Sequence, residues 1–548
     1  MQKSLKCCII FCYTIYIMKK ISAALSTVIL VIFVAAILVL SVRGLPGNPT
    51  QTELNTTYWK DNGPFELSPE RGRYALIYSL VEDHSFQLPT DIAKFTSPDV
   101  GFLNGHYVTI FAPSISLLGI PGYVIGKHFD AAQFGTFLWI AIFALLNVLL
   151  IRAIAIRMGA NSIAASLAGL IFLFATPAFA YAVTLYEHHV STFLILLSFY
   201  LLIRFNTVWS LILIWILYGF AFTVDYPNLF MMFPIALAAF FKSATISQIR
   251  EKVSIKISFP RILAVLAVII PLILFLWINQ QSYHNPFQLS GTVARVFGVR
   301  DNGTPILWQD VYKSTLAKTG QNANLPPPGS IFTFFKPRNM LNGLYILLIS
   351  PDRGVVVYTP IMLLGVFGLY LAAKKKDKYL PITLSVIAVD LVLYAMWGDP
   401  YGGWAFGARY LIPAYAVLSI YLALLLTYLG KHRLFVLLFF VVLSYSIMVN
   451  SVGALTSNSN PPKVEADALS NQVHQRVEYT YIRNVNELNQ NLIKSYVFES
   501  YAGNYLSAWQ YYSYITIFIL SIAAILIINL HIAIRKKHKE GGKHALES

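Results

Sequence analysis

The segment SPERGRYA, residues 68–75, places an acidic and a basic side chain one helical turn apart. Ser68 is a typical N-cap and Pro69 fits the first helical position, so Glu70 falls in the first turn, where the helix dipole favours an ionised carboxylate. Arg73 follows three residues later on the same helix face. This pattern indicates either a carboxylate that accepts a proton beside a phosphate-binding guanidinium, or a simple ion pair at a helix start.

Several other short motifs carry side chains that could bind or catalyse. They contain Asp99 and His106, Glu187, His188 and His189 in YEHH, Asp225 in TVDYP, Arg353 in SPDRG, and Asp399, Trp404 and Arg409 in WGDPYGGWAFGARYL. Adjacent helical histidines point about 100° apart, so YEHH favours a polar rim or substrate contact over a metal site. Asp225 could equally cap the next helix, and Trp404 fits an interfacial aromatic belt as well as a sugar-stacking surface. The sequence predicts no certain cofactor and leaves a divalent metal open.

The composition is that of a membrane protein. Of 548 residues, 57% are hydrophobic and 12% are charged, whereas soluble domains are roughly half apolar and about a quarter charged. The 41 Lys and Arg residues exceed the 25 Asp and Glu residues. Because the basic clusters lie in short loops between apolar runs, they are typical of membrane topology signals, and no nucleic-acid partner is predicted.

Apolar runs of about 17–25 residues can cross the hydrocarbon core of a bilayer. By this criterion the spans lie near 21–42, 132–152, 161–182, 190–205, 208–223, 227–241, 261–278, 355–373, 379–396, 409–428, 433–451 and 512–534. The sequence therefore predicts an all-α integral membrane protein with about twelve transmembrane helices.

The distribution of Lys and Arg gives an orientation in which both termini are cytoplasmic. Segment 107–126 contains Pro113 and Pro121, and as a full span it would invert every later loop, so we expect a helix at the outer interface or one that re-enters the membrane. The acidic, histidine and arginine motifs then all lie at the outer face, as an active site open to that side requires.

The predicted organisation alternates membrane helices with outer loops. It comprises a cytoplasmic segment (1–20), the first transmembrane helix (21–42), a first extracytoplasmic loop with catalytic and interfacial helices (43–131), transmembrane helices 2–7 (132–278), an extracytoplasmic loop (279–354), transmembrane helices 8–11 (355–451), an extracytoplasmic loop (452–511), the last transmembrane helix (512–534) and a basic cytoplasmic tail (535–548).

Four motifs resemble one family of membrane enzymes. PERGRYA, residues 69–75, resembles the PDEGRYAE element of polyprenyl-phosphate-dependent glycosyltransferases of the GT-C superfamily, with the lipid A aminoarabinose transferases and protein O-mannosyltransferases nearest in pattern. NGHYVTIFAPSISLLGIPGY, residues 104–123, is similar to the family's NG..Y..KPPL..WL stretch. SPDRGVVVYTP and WGDPYGGWAFGARYL resemble elements of bacterial members. The resemblance implies transfer of a hexosyl or pentosyl group from a polyprenyl-phosphate-linked donor to an extracytoplasmic lipid, glycan or protein.

The resemblance also implies residue roles. Glu70 falls on the family's catalytic acid, which acts as general base, and Arg73 on an arginine that contacts the donor phosphate. Two differences matter, because Glu replaces Asp and no Lys precedes Pro113. We therefore expect a further phosphate-binding cation from Arg353 or Arg409, and we keep Asp99 as a second candidate acid. The candidates for the substrate cavity are His106, Glu187, His188, His189, Asp225, Asp399 and Trp404.

Two other functions fit the same composition. The first is a transporter or flippase of a lipid-linked glycan, and the second is a non-catalytic protein of cell-envelope assembly. Transporters often contain internal repeats and binding sites near the bilayer midplane. Charge that is collected at one membrane face, with no obvious repeat, favours the transferase.

Overall fold

The structure is a computed structural model that describes residues 24–60, 62–249, 252–311 and 335–544. Within these residues, six helices are long and apolar enough to cross a membrane, and six further apolar helices have 10–17 residues. In chain order they are Ala24–Ser41, Ala132–Arg157, Ser162–Phe174, His188–Arg204, Val208–Val224, Asn228–Phe241, Phe259–Tyr283, Ile361–Lys374, Leu380–Ala395, Arg409–Leu429, Arg433–Leu455 and Ala508–Lys536. The predicted all-helical, multi-pass membrane class is confirmed, while the number of crossings stays a prediction.

The remaining helices are short and lie between these apolar helices. They are Gln51–Leu54, Thr57–Lys60, Ser68–Glu82, Thr90–Thr96, Ser114–His128, Ala178–Ala182, Met340–Leu348, Val355–Tyr358, Lys463–Val473, Ile482–Asn489 and Tyr496–Ser500, with 3-10 turns at Ser290–Thr292, Pro337–Asn339 and Ala502–Asn504. The predicted segment 1–20 and the middle of the predicted loop 279–354 lie outside the described residues.

A small antiparallel sheet adds to the predicted helical fold. Its strand order is β2-β1-β5-β6, formed by β1 (Val100–Leu103), β2 (His106–Thr109), β5 (Arg295–Val299) and β6 (Pro305–Leu307). Asn104 and Gly105 both have positive φ, as a two-residue hairpin turn between β1 and β2 requires. A separate hairpin pairs β3 (Ala244–Ile249) with β4 (Lys252–Ile257).

Segment 107–126 is not one helix, and this part of the prediction is wrong. Residues 106–109 form β2, and the helix Ser114–His128 begins directly after Pro113. The Asn-Gly turn directs the chain back along β1, so the backbone groups of β2 pair in the sheet before the helix starts. Pro121 is retained inside that helix.

Close contact between glycines fixes the helix Ser114–His128 against Ala132–Arg157. A Cβ atom on Gly122 would lie 2.3 Å from Cβ of Trp139, and one on Gly135 would lie 2.5 Å from the carbonyl oxygen of Gly122. Small residues allow helix backbones in membranes to approach in this way. The start of the helix is thereby brought to the helix Ser68–Glu82, where Ser116 Oγ donates to the carbonyl oxygen of Arg73 at 2.9 Å.

The helices differ greatly in how much of their surface the protein covers. The most apolar stretch of Arg409–Leu429 is 83% buried, whereas that of Ala508–Lys536 is only 22% buried. The first therefore lies in the centre of the helix assembly and the second at its edge. Arg409 stands at the start of this central helix, and its Nε and Nη1 atoms are buried.

Replacing Gly122 by Ala should destabilise the protein by about 1–3 kcal/mol, because the added methyl group has no space beside Trp139. The measurement is the thermal unfolding midpoint of the purified protein in detergent. Gly298→Ala is the matched control, since the nearest atom to its added Cβ is 3.8 Å away. Equal midpoints for the two variants would contradict the tight helix contact.

Candidate active site at the outer helix ends

Glu70 is a buried carboxyl group in the first turn of the helix Ser68–Glu82. Its Oε2 accepts a hydrogen bond from the backbone N–H of Leu67 at 3.3 Å, while its Oε1 is buried without a hydrogen bond. Ser68 does not cap the helix as predicted, because its hydroxyl donates to the Asp99 carboxylate and Leu67 takes the cap position. Burial, and next the charge on Glu66, raise the pKa of Glu70 to about 7.

Glu66 has the opposite environment although it lies only four residues earlier. Its carboxylate accepts from Arg43 Nη1 at 2.5 Å, from Lys494 Nζ at 2.6 Å and from Ser457 Oγ at 2.7 Å. Burial alone would favour its neutral form, but the two cations outweigh burial and lower the pKa of Glu66 to about 2. One carboxylate is therefore fixed in its charged form while its neighbour exchanges a proton near neutral pH, a pattern typical of acid–base sites.

Arg73 forms its ion pair with a different acid from the one the sequence suggested. Its Nη2 contacts the carboxylate of Glu187, and its Nη1 donates to the carbonyl oxygen of Pro69 at 3.0 Å. The guanidinium also lies over the rings of Phe111 at 4.8 Å and Tyr186 at 5.3 Å. Within the described residues the simple Glu70–Arg73 helix-start pair is thus not formed.

Arg409 lies beside the same tyrosine with unused donors. Its guanidinium is 5.2 Å from the ring centre of Tyr186, 5.4 Å from that of Tyr410 and 5.9 Å from that of Tyr181. Its buried Nε and Nη1 atoms have no hydrogen-bond partner. Aromatic faces stabilise the cation without using its N–H groups, so these two groups stay without a partner in the described structure.

A second pair of carboxyl groups lies near the two arginines. The Glu187 carboxylate is 3.8 Å from Nδ1 of His188. Burial opposes the charge on Glu187, but the charges of its neighbours, above all Arg73, lower the pKa of Glu187 to about 2. Burial, followed by the charge on Glu187, raises the pKa of Asp225 to about 8 against the effect of both arginines. The His188 ring stacks on Tyr186, with 5.7 Å between ring centres, and its Nε2 has no partner.

Tyr186 is the common neighbour of these groups. Burial, and next the charge on Glu70, raise the pKa of Tyr186 well above its usual value. The side chains around it, together with Asp225 beside Glu187, form what we call the outer polar cluster, after the membrane face that the sequence predicts for them. Its members are Glu70, Arg73, Tyr186, Glu187, His188, Asp225 and Arg409.

Arg353 and His189 are not members of this cluster, and their side chains form hydrogen bonds with backbone carbonyl oxygens. Arg353 is fully buried and donates to the carbonyl oxygens of four residues. They are Asp352 at 2.7 Å, Asn460 at 2.8 Å, and Tyr401 and Gly403 at 3.0 Å each. His189 Nε2 is 2.7 Å from the carbonyl oxygen of Ala178. Both side chains therefore support loops and helix ends in this structure.

The other predicted site residues lie nearer the surface. Asp99 contacts Ser68 and is 3.7 Å from Arg295, so it lies beside the start of the helix Ser68–Glu82. His106 is exposed on β2, Asp399 accepts from the N–H groups of its own turn, and Trp404 Nε1 donates to Glu465 at 2.6 Å. In the part of the chain that is described, no group of three or more His, Cys, Asp or Glu side chains could hold a metal ion.

The sequence did not indicate Arg43, Glu66, Lys494 or the tyrosines at 181 and 186 as site residues. Arg43 directly follows the first apolar run, and a cation at that position reads as an ordinary span end. Tyr186 is the first residue of the YEHH motif. Its position next to Glu187 was the one signal that the sequence offered.

Comparisons with known proteins find only distant structural similarity. No family model matches the chain and no curated protein is similar to it. Among solved structures it is similar to ArnT from Cupriavidus metallidurans in the apo state, with TM-score 0.43, 11% identity and coverage of 93% of this chain and 77% of that one. ArnT bound to undecaprenyl phosphate gives TM-score 0.43, 10% identity and coverage of 92% and 76%.

A second similar structure is the archaeal oligosaccharyltransferase AglB from Archaeoglobus fulgidus, in complex with an inhibitory peptide and a dolichol-phosphate. Its TM-score is 0.36 at 13% identity, with coverage of 91% of this chain and 56% of that one. At such low identity, no residue role passes from these structures to this chain.

The raised pKa of Glu70 predicts how stability depends on pH. The pKa of Glu70 is about 7 in the folded protein, whereas an unperturbed glutamate has a pKa of 4.5. The unfolded state binds fewer protons between these values, so stability falls as pH rises through the window. Glu70→Gln should remove this loss and make the protein more stable than the wild type at pH 8 by about 1–3 kcal/mol.

The thermal unfolding midpoint at pH 5 and pH 8 measures this effect. Glu66→Gln is the control of opposite sign, because the lowered pKa of Glu66 contributes stability that is present above its unfolded pKa. That variant should lose stability at both values of pH. A Glu70→Gln protein that is less stable than the wild type at pH 8 would show that Glu70 is a stabilising anion.

Proposed function

We propose that this protein transfers a sugar from a polyprenyl-phosphate-linked donor to an acceptor at the extracytoplasmic face of a membrane. The single observation that carries this function is the outer polar cluster, in which a buried carboxyl group with a free oxygen and two guanidinium groups all lie beside Tyr186. The resemblance of PERGRYA to the catalytic element of such enzymes supports the same function from the sequence.

Glu70 is the general base of the proposed reaction. A bond forms between the acceptor oxygen and the anomeric carbon of the sugar, while the bond from that carbon to the phosphate oxygen breaks. The proton of the acceptor hydroxyl passes to Glu70 Oε1, which has no hydrogen bond in the resting structure. A pKa of about 7 for Glu70 is suitable because a general base is most effective when its pKa lies near the working pH.

Arg409 and Arg73 stabilise the departing polyprenyl phosphate. Negative charge develops on the phosphate as the sugar leaves, and fixed donors in a site with little water stabilise such charge strongly. Arg409 offers two unpaired donor atoms, while Arg73 is oriented by Glu187 and Pro69. Arg353 is not included in the proposed phosphate site, because four of its N–H groups are already bonded to carbonyl oxygens.

Asp225 and His188 are suited to contact the sugar. His188 Nε2 is buried without a partner, and Asp225 follows the end of the helix Val208–Val224 at the same level. Both side chains accept or donate hydrogen bonds to hydroxyl groups. The cluster therefore contains separate groups for the acceptor proton, for the phosphate and for the sugar.

The arrangement is less suited to a transporter of lipid-linked glycans. Transporters bind their substrate near the bilayer midplane. Here the polar cluster lies where the helix His188–Arg204 begins and Val208–Val224 ends, so it is at one end of the apolar helices.

Glu70→Gln should lower sugar transfer by about 10²- to 10⁴-fold, since it removes a general base but keeps the shape of the side chain. The measurement is mass spectrometry of surface glycans and glycoproteins from a deletion strain that is complemented with each variant. Asp99→Asn is the matched control and should restore the wild-type profile. Restoration by Glu70→Gln together with loss in Asp99→Asn would transfer the role of base to Asp99.

Arg409→Gln should weaken binding of undecaprenyl phosphate by about 10- to 100-fold, the usual effect of losing hydrogen bonds to a charged group. Binding to the purified protein can be followed by intrinsic tryptophan fluorescence. The matched variant is Arg353→Gln, which should lower the unfolding midpoint but leave the affinity of the folded fraction unchanged. If the two variants exchanged these effects, the phosphate site would lie at Arg353 instead.

A further inference from the structure

Five cations line one cleft at the opposite end of the helices from the outer polar cluster. The cleft has a volume of about 650 Å³ and contains Arg157, Arg204, Lys242, Arg261 and Lys378. The helix His188–Arg204 connects the two sites, because it begins at the cluster and ends at the cleft after 17 residues, or about 25 Å. We call this feature the inner basic cleft.

Among the described residues, no acid compensates the positive charge of the inner basic cleft. Its lining residues include no Asp or Glu, and the ion pairs of the described residues include none of its five cations. Burial, followed by the charges of Arg261 and Lys378, lowers the pKa of Lys242. Crowded like charges destabilise one another, so the cleft would be stabilised by a bound anion.

Two of the cations hold the walls of the cleft. Lys242 Nζ donates to the carbonyl oxygens of Leu202 and Phe205. Arg261 donates to the carbonyl oxygens of Lys242 and Asn206 at 3.0 Å each. These bonds join the ends of three neighbouring helices, so the cleft has a defined shape before any ligand binds.

The other three cations are available to a ligand. No side-chain hydrogen bond of Arg157, Arg204 or Lys378 occurs among the described residues, and the contacts that do occur are with rings. Arg204 lies 5.3 Å from the ring of Phe205, and Lys378 lies 4.8 Å from that of Tyr379. Such contacts leave the N–H groups free.

The walls of the cleft indicate that the anion belongs to a lipid. Besides the cations, its lining contains Leu202, Ile203, Phe205, Ala238 and Ile382. Phe205 is 40% exposed at the end of an apolar helix, where lipid headgroups meet the hydrocarbon region. Basic pockets between membrane helices bind phosphate headgroups in this position, whereas a soluble phosphate would gain nothing from the apolar wall.

We infer that the inner basic cleft binds the phosphate headgroup of an anionic membrane lipid. Arg204, Lys378 and Arg157 contact the phosphate, Lys242 and Arg261 shape the cleft, and the apolar wall contacts the first methylene groups of the acyl chains. This site is separate from the sugar-transfer site and does not depend on the proposed function.

The test measures lipid binding to the full-length protein in detergent by native mass spectrometry. The probes are dioleoyl phosphatidylglycerol and dioleoylglycerol, which has the same acyl chains but no phosphate. The double variant Arg204→Gln/Lys378→Gln should bind phosphatidylglycerol roughly 30-fold more weakly, from the usual contribution of each cation near a headgroup. Dioleoylglycerol should bind weakly and equally to all proteins.

Lys374→Gln/Arg433→Gln is the matched control, because it removes two exposed cations at other helix ends and should leave phosphatidylglycerol binding unchanged. Unfolding midpoints equal to the wild type would show that both double variants are folded. An equal loss of phosphatidylglycerol binding in the two double variants would show that general surface charge causes the effect. That result would overturn the proposed lipid site. Displacement of the lipid by inorganic phosphate at comparable concentration would overturn the lipid assignment.

Discussion

The buried contact of Glu66 with Arg43 and Lys494 determines where the helix Ser68–Glu82 begins. Arg43 follows the first membrane helix, and Lys494 belongs to the last outer loop, which pairs with residues 42 and 44 through backbone hydrogen bonds. Charges removed from water are tolerated only when they are paired and hydrogen-bonded, and removing one partner typically costs about 3–5 kcal/mol. Because all three chain segments must meet at Glu66, the position of Glu70 one turn later is fixed as well.

This constraint also creates the chemical difference between two neighbouring glutamates. Glu66 takes both nearby cations, and Glu70 is left in the same buried region with a like charge beside it. The pair Glu187 and Asp225 repeats this division, with Arg73 taken by Glu187. Arg409 is stabilised mainly by tyrosine rings and needs no acid of its own. The cluster therefore combines proton-accepting carboxyl groups with a cation whose donors remain free.

The parts of this arrangement that follow from local sequence were predictable. Apolar run length gave the helices, and the orientation rule collected Glu70, Arg73, Glu187, Asp225 and Arg409 at one membrane face before the structure placed them in one cluster. The contact of Arg43 with Asn458 spans 415 residues, and the pairing of β1 with β5 joins the first outer loop to residues 295 and 296. The hydrophobic pattern along the sequence contains no information about pairs of residues that are so far apart. Arg353 stood out because its motif is conspicuous, although the structure uses it to hold backbone turns.

The cations at the two ends of the helix His188–Arg204 differ in how far acidic side chains compensate their charge. This difference suits brief binding of a phosphate at one end and long-lived binding at the other. At the outer end, Arg73 is partly neutralised by Glu187 and shares its surroundings with further carboxyl groups. The nearby carboxylates would weaken the binding of a phosphate there. Turnover requires such weakening, because a product that is held too tightly would not leave. At the other end, none of the described residues that line the cleft is acidic. The proposed headgroup would there meet several cations and no competing carboxylate, so it would be held more tightly.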